Sequence, residues 1–334
     1  MDLQRRRWLR LGAALAVTGT WPAWTAQAQP GGGESVDGRG AFSTRDIEWI
    51  DARRQRAVPA RLYLPQATRP VPLMVFSHGI GGSRLGYTWL GQHAARHGIA
   101  CLHLQHVGSD RQLWSGNIFN LVGRLQAAAQ DSEAIARARD VRFALDELLT
   151  GELAPRFDAE RIVAAGHSYG ANTTLLVSGA SVEREGRLVE LRDDRVRAAI
   201  VLSAPPFYGE AEPREILRKV QLPSLHVTCT EDVIRIPGYY SGAEDRLAVF
   251  DAIGSPRKWL AVYEGGSHSM FTDRAGTGGA LNPKAKQATA ALAVAFVRAV
   301  LDGDAQALAA WPERHADILA LFAAVGLDPQ RSES

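Results

Sequence analysis

The sequence predicts an α/β fold: a mostly parallel sheet of eight strands with helices on both faces. Three observations carry this. Apolar runs alternate with helical patterns along most of the chain, as in repeated strand–helix units. Several runs, "VPLMVF" and "AAIVL" among them, are apolar at successive positions rather than at every second one, which is the pattern of strands buried on both faces. No internal repeat divides the 334 residues into arrayed units.

Taken in order, the first 28 residues stand apart. Arg5, Arg6, Arg7 and Arg10 are followed by an uncharged stretch and then by Ala26-Gln27-Ala28. Basic, apolar, then small-x-small is the grammar of a cleaved export signal. Arg-Arg-x-Trp-Leu-Arg resembles the twin-arginine type, so the precursor is expected to use the twin-arginine export machinery and the mature protein to be periplasmic or secreted. The apolar stretch is short and holds Gly and Pro, so no stable membrane anchor is expected. Residues 29–42, "QPGGGESVDGRGAF", read as a polar, glycine-rich linker, and 43–334 as a single domain.

Within that domain, "DIEWIDA" and "AVPARLYLP" alternate in period two, like an antiparallel pair at a sheet edge. "VPLMVFSHG" is a buried strand, "YTWLGQHAARHG" a helix stopping at Gly98, and "IACLHLQHV" the next strand. Residues 133–149 place Ile135, Ala138, Val141, Leu145 and Leu148 on one helical face. "RIVAAGHS" is a strand and "YGANTTLLVSGA" opens a helix. "AAIVLSAPP", "LPSLHVTCT" and "KWLAVYEGG" are three more strands, followed by a strong helix at "PKAKQATAALAVAFVRAVL". The stretch 305–325 is expected to add a last helix, which around Ala307–Trp311 caps the domain edge. Residues 108–132 and 181–195 interrupt the rhythm as polar, loop-like stretches suited to a substrate mouth.

Charge excludes one class of function. Removing the four signal arginines and Asp2 takes the formal charge from +2 to −1, so the basic balance belongs to the signal and no nucleic-acid footprint remains. The two cysteines, Cys101 and Cys229, lie in separate apolar runs and read as buried single thiols; their spacing matches no zinc pattern.

The chemistry gathers around "GHSYG", residues 166–170. Gly-x-Ser-x-Gly alone is a weak signal, but here the serine ends a buried strand and precedes a helix. That junction is a nucleophile elbow, whose tight turn needs small neighbours. Ser168 is then a candidate nucleophile, and a serine hydroxyl needs a base. His167 projects away in such a turn. His268, in the loop after the last strand, is the candidate. The third member must orient the imidazole. Asp232 ends the strand "LHVTCT" and is preferred over its neighbour Glu231; Asp110, after an early strand, is assigned to loop stabilisation. The order Ser168, Asp232, His268 follows one known arrangement of such triads. Donors for an oxyanion are expected from the glycine-rich turn "FSHGIGGSR" and from the N–H of Tyr169. That turn lacks the Gly-Lys-Ser/Thr of a phosphate loop.

Together, "DARRQRAVPARLYLP", "FSHGIGGSRLGY", "HVGSD", "RARDVRFALDEL" and "GHSYGANT" make residues 45–300 resemble the α/β-hydrolase superfamily. More narrowly, they resemble its bacterial platelet-activating-factor-acetylhydrolase-like and dienelactone-hydrolase-like branch. The resemblance implies the α/β-hydrolase fold and places the first oxyanion donor at the residue after His-Gly, Ile80. Dienelactone hydrolases use cysteine where this chain has Ser168, which puts dienelactone chemistry in doubt.

Several other residues are read as structural. His103 and His106 suit hydrogen bonding, and His78 suits bracing the oxyanion turn. Trp89, Trp114 and the pair Tyr239-Tyr240 lie where they flank a pocket or pack. The expectation is an exported serine hydrolase acting on a small-molecule or lipid-like carboxylic ester, with no cofactor and no metal. A peptidase or acyltransferase on the same fold, and a binding protein with an inactive site, are the alternatives. Polyester cleavage by a lidless cleft stays open.

Overall fold

The computed structural model describes residues 40–184, 186–207, 212–236, 239–274 and 279–326, all within a compact unit spanning Gly32–Ser334. The expected export signal, and the linker up to residue 39, lie outside the described residues.

The described residues open with an antiparallel hairpin, β1 (Phe42–Asp51) and β2 (Arg56–Pro65). Then come β3 (Val71–Ser77), α1 (Thr88–Arg96), β4 (Ala100–Leu104), α2 (Leu121–Ala128), α3 (Asp131–Thr150), β5 (Phe157–His167) and α4 (Tyr169–Val177). A small hairpin, β6 (Ser181–Arg184) and β7 (Arg187–Glu190), precedes β8 (Val196–Leu202), α5 (Pro213–Leu217) and β9 (Ser224–Cys229). A second hairpin, β10 (Ile234–Ile236) and β11 (Tyr239–Ser241), leads to α6 (Ala243–Ala252), β12 (Lys258–Tyr263) and α7 (Leu281–Leu301). Short α8 (Gln306–Ala309) and α9 (Trp311–Arg314) and the strand β13 (Leu319–Val325) complete it.

The main sheet runs β1-β2-β4-β3-β5-β8-β9-β12-β13. Pairing is parallel from β4 through β12 and antiparallel at β1/β2, β2/β4 and β12/β13. Alternate residues of β3 show why it is buried twice. Leu73 and Val75 join the core under α3 and α4, with Val141, Leu145 and Leu175. Met74 and Phe76 face the other core, with Leu90 of α1 and Leu292 and Phe296 of α7. Each such leucine, fully buried, contributes roughly 2 kcal/mol of transfer free energy.

Three expectations are corrected. Among the described residues the sheet has nine strands rather than eight, and the ninth lies in the stretch read as a helix over 305–325. "LALFAAV" is rich in good helix formers, but it lies along the open edge of β12 and pairs from Lys258↔Val325 to Tyr263↔Leu319; that pairing overrides propensity. Only two short helices precede it, and Trp311 of α9 is buried with its Nε1–H on the Ala288 carbonyl at 2.9 Å. The stretches read as loops hold α2 in 108–132 and the β6/β7 hairpin in 181–195.

The topology creates the site. From β3 the chain passes through α1 to β4 on one side, and from β4 through α3 to β5 on the other. The connections part above the carboxyl ends of β3 and β5, where ligands bind in open α/β sheets.

Candidate active site

β5 ends at His167 and α4 begins at Tyr169, so Ser168 alone makes the turn. It does so with φ 56° and ψ −123°, a conformation that costs a non-glycine residue about 1–3 kcal/mol. Its amide continues the ladder to Leu202 of β8 at 2.9 Å. The glycines on either side allow the close approach. A Cβ on Gly170 would run into the Ser77 carbonyl, and one on Gly166 into the Gly170 carbonyl.

The residues expected to act with Ser168 converge on it. His268 opens a 3₁₀ turn (His268–Phe271) after β12. Its Nε2 lies 2.7 Å from Ser168 Oγ and its Nδ1 lies 2.7 Å from Asp232 Oδ1. A carboxylate can only accept, so Nδ1 carries the proton and Nε2 is free to accept from the serine hydroxyl. Asp232 is fully buried, whereas Glu231 is exposed. Thr228 Oγ1 donates to Asp232 Oδ2 at 2.7 Å, and Arg246 Nη2 to Oδ1 at 3.2 Å. Burial alone would raise the Asp232 carboxyl. The hydrogen bond and charge of His268, with the Arg246 guanidinium, outweigh it and hold the group well below the usual carboxylate range.

The turn after β3 supplies the other half. Gly79 N donates to the Tyr87 hydroxyl at 3.3 Å, Gly81 N to the Ser109 carbonyl at 2.8 Å and Gly82 N to the Gly79 carbonyl at 3.0 Å. The amide between them, Ile80, has no protein acceptor among the described residues. Gly79 packs so close that a Cβ there would lie 3.2 Å from Ser168 Cβ, which brings this turn against the serine. Tyr169 is the first residue of α4, where the N–H groups have no carbonyl within the helix and the positive dipole end lies. His78 braces the turn: its Nδ1–H donates to the Gly79 carbonyl at 2.7 Å and its Nε2 accepts from His106 N at 3.1 Å. Burial, then the charge of Arg137, push its ring well below the ordinary histidine range, so it stays neutral.

A second chain of the same chemistry shows what geometry alone cannot decide. Ser77 Oγ lies 3.0 Å from His106 Nε2, and His106 Nδ1 lies 3.0 Å from Asp140 Oδ2. All three are at most 1 % exposed. No substrate reaches them, and they tie β3 and the loop after β4 to α3. Ser168 is 7 % exposed and the His268 side chain 16 %, at the carboxyl ends of the sheet's strands.

Other residues take up structural contacts. Asp110 accepts from Gln112 N at 3.0 Å and Gln105 Nε2 at 2.6 Å. His103 Nδ1–H donates to the Gly86 carbonyl at 3.0 Å. Trp89 Nε1–H bonds the Phe271 carbonyl at 2.9 Å, and Trp114 Nε1–H the Gly81 carbonyl at 2.8 Å. Trp114 and Tyr240 are exposed; the Tyr239 side chain lies outside the described residues. Cys101 and Cys229 are buried free thiols, and burial pushes Cys229 up to about 12. Among the described residues, no cluster of three or more His, Cys, Asp or Glu side chains could hold a metal ion, and no helix is long and apolar enough to cross a membrane.

Sequence reasoning missed four contributors: Tyr87, His167 as a tie, Arg246 and Arg137. All but Arg246, whose partner Asp232 lies 14 residues away, act through a partner far away in the chain. For Arg137 a signal existed, since it falls four residues before Val141, on the buried face of α3.

The fold is shared with a solved esterase. A ferulic acid esterase from Streptomyces cinnamoneus aligns with a TM-score of 0.59, covering 80% of this chain and 92% of that one, at 23% identity. The likeness is one of fold. No protein-family model and no curated protein matches the chain.

Proposed function

We propose that this protein is a serine hydrolase that cleaves carboxylic esters through an acyl-enzyme. The observation that carries this is the chain from Ser168 Oγ through His268 to Asp232, with both contacts at 2.7 Å, facing a turn in which the Ile80 amide has no acceptor among the described residues. The esterase whose fold is shared adds support at the level of a carboxylic ester hydrolase.

In this reading Ser168 Oγ forms a bond to the acyl carbon while its proton passes to His268 Nε2. The carbonyl π pair moves onto oxygen, which faces the amides of Ile80 and Tyr169. Asp232 keeps the proton on Nδ1 and stabilises the imidazolium. The tetrahedral centre collapses, the ester C–O bond breaks, and the leaving oxygen takes the proton from His268. Water then attacks the acyl-enzyme, giving its proton to His268; collapse returns Ser168 and releases the acid. An oxyanion donor is worth roughly 3 kcal/mol of barrier, so two backbone amides weigh heavily.

No large lid insertion is visible in the sequence, which favours short acyl groups on a small-molecule or lipid-like ester. The twin-arginine pattern over residues 1–28 supports export of the precursor and action in the periplasm or outside the cell. The test is turnover of p-nitrophenyl esters of increasing acyl length by the mature protein and by Ser168→Ala. The reading expects turnover, greatest for short chains, abolished in the variant; turnover that survives the substitution contradicts it.

A further inference from the structure

Arg137 of α3 is a fully buried guanidinium directly beneath the proposed oxyanion site. Nε donates to Thr173 Oγ1 at 2.9 Å, Nη1 to Ser109 Oγ at 2.8 Å, and Nη2 to the main-chain carbonyl of His78. Its Cζ lies 4.6 Å from the centre of the Tyr169 ring. These contacts fall on three separate segments, with Ser109 in the loop after β4. His78 precedes Ile80 by two residues in the turn after β3, and Tyr169 and Thr173 belong to the first turns of α4.

The partners are unusual for a buried cation. All three acceptors are neutral, and among the described residues no carboxylate makes an ion pair with Arg137. Glu133 is reached only through the Ser109 hydroxyl, which donates to its Oε1 at 2.8 Å. The carboxylates nearby are already engaged, Glu133 by Arg56 and Asp140 by Arg54 and Arg56. A buried charge of this kind is costly, and an apolar side chain of similar volume usually costs less. Burial pulls the guanidinium down to about 10, which leaves it charged at neutral pH. Its positive charge is therefore held against the one place where the proposed reaction develops negative charge.

We infer that Arg137 is a positioning residue of the oxyanion site: it locks the segment carrying the Ile80 amide to the helix carrying the Tyr169 amide and lends the site its charge. It thereby acts on the transition state rather than on substrate binding. The inference rests on the serine-hydrolase reading. Loss of one oxyanion donor costs about 10²–10³ in kcat, and small misplacements cost about 10².

The test is steady-state turnover of p-nitrophenyl acetate, with inhibition by phenylboronic acid, in the wild type, Arg137→Met, Arg137→Lys and Thr173→Val. Arg137→Met is expected to lower kcat about 100-fold with KM within about threefold, and phenylboronic acid to weaken in step with kcat/KM. Arg137→Lys, which keeps a charge but not the fork, is expected to recover about tenfold of that loss. A merely structural role leaves kcat per folded molecule and the affinity for the boronic acid unchanged. Folded Arg137→Met with kcat within about threefold of wild type, or with its loss confined to KM, overturns the inference. Should Arg137→Met not fold, Thr173→Val decides: a kcat about fivefold or more lower at constant KM supports the role, and an unchanged kcat overturns it. Wild-type protein that turns over no ester contradicts the hydrolase reading itself, a result distinct from normal wild-type turnover with indifferent variants.

Discussion

The Nε2–H of His167 donates to the main-chain carbonyl of His268 at 2.9 Å. The residue before the serine therefore holds the loop that carries the imidazole. With Nε2 protonated, Nδ1 of His167 accepts from the Tyr87 hydroxyl at 2.8 Å, and that hydroxyl accepts from Gly79 N at 3.3 Å. One line of hydrogen bonds joins the oxyanion turn, the elbow and the histidine loop. Burial, then the nearby His268, push the His167 ring down to about 3, so the line stays neutral at working pH.

His167→Ala breaks that line and leaves the Tyr87 hydroxyl and the His268 carbonyl unsatisfied. Unpaired buried groups cost about 1–3 kcal/mol each, so denaturant unfolding should show a loss of roughly 2–6 kcal/mol. Ester turnover should fall about tenfold or more as the His268 ring loses its fixed position. A variant with wild-type kcat would show that the His268 loop is held by other contacts.

Asp232→Asn keeps the shape of the site but removes the acceptor that puts the proton on His268 Nδ1. An amide NH₂ facing Nδ1 favours the tautomer that cannot accept from Ser168. In a triad this change costs about 10⁴ in kcat. The rate should fall by roughly three to four orders of magnitude at neutral pH, measured with an activated ester; a loss below about tenfold would contradict the role given to Asp232.

How far the site could be read from the chain follows from the nature of each signal. Ser168, Asp232 and His268 stand just beyond apolar runs, and strands that are buried on both faces place such residues at one sheet edge whatever the details of packing. Their convergence was therefore legible. The ring of support was not. Arg137, Tyr87 and Arg246 are polar residues on helices or turns, and only the folded packing brings them against His78, His167 and Asp232. The strand β13 was misread for a related reason: pairing with β12 is a long-range fact, while its alanines and leucines signal a helix locally.

Stability should depend steeply on pH in the acid range. Burial is the first cause that lowers five rings: His167 and His226 to about 3, His103 to about 4, and His78 and His106 well below the ordinary value. In the unfolded chain these rings titrate near 6.5, so between about pH 6.5 and 4 the unfolded state binds more protons than the folded one. The free energy of unfolding therefore falls as pH falls, by up to about 1.4 kcal/mol per pH unit for each ring. Guanidinium unfolding at pH 7.5, 6 and 5 should give a steadily falling midpoint. A flat midpoint would mean that these rings protonate without unfolding the protein.

The elbow itself predicts a trade between stability and activity. Ser168→Gly removes the side chain from a backbone conformation that glycine tolerates, while Ser168→Ala retains the strain. Thermal or denaturant unfolding should find the glycine variant more stable than the alanine variant by about 1 kcal/mol, with both inactive. Equal stabilities would contradict the strain at this turn.

The most direct measurement is mass spectrometry of the mature protein quenched in acid during turnover of an acetate ester, followed by peptide mapping. The expected result is a single acetyl group on the peptide carrying Ser168, absent from Ser168→Ala. An acetyl group on another residue, or turnover that continues with Ser168 replaced, would contradict the account.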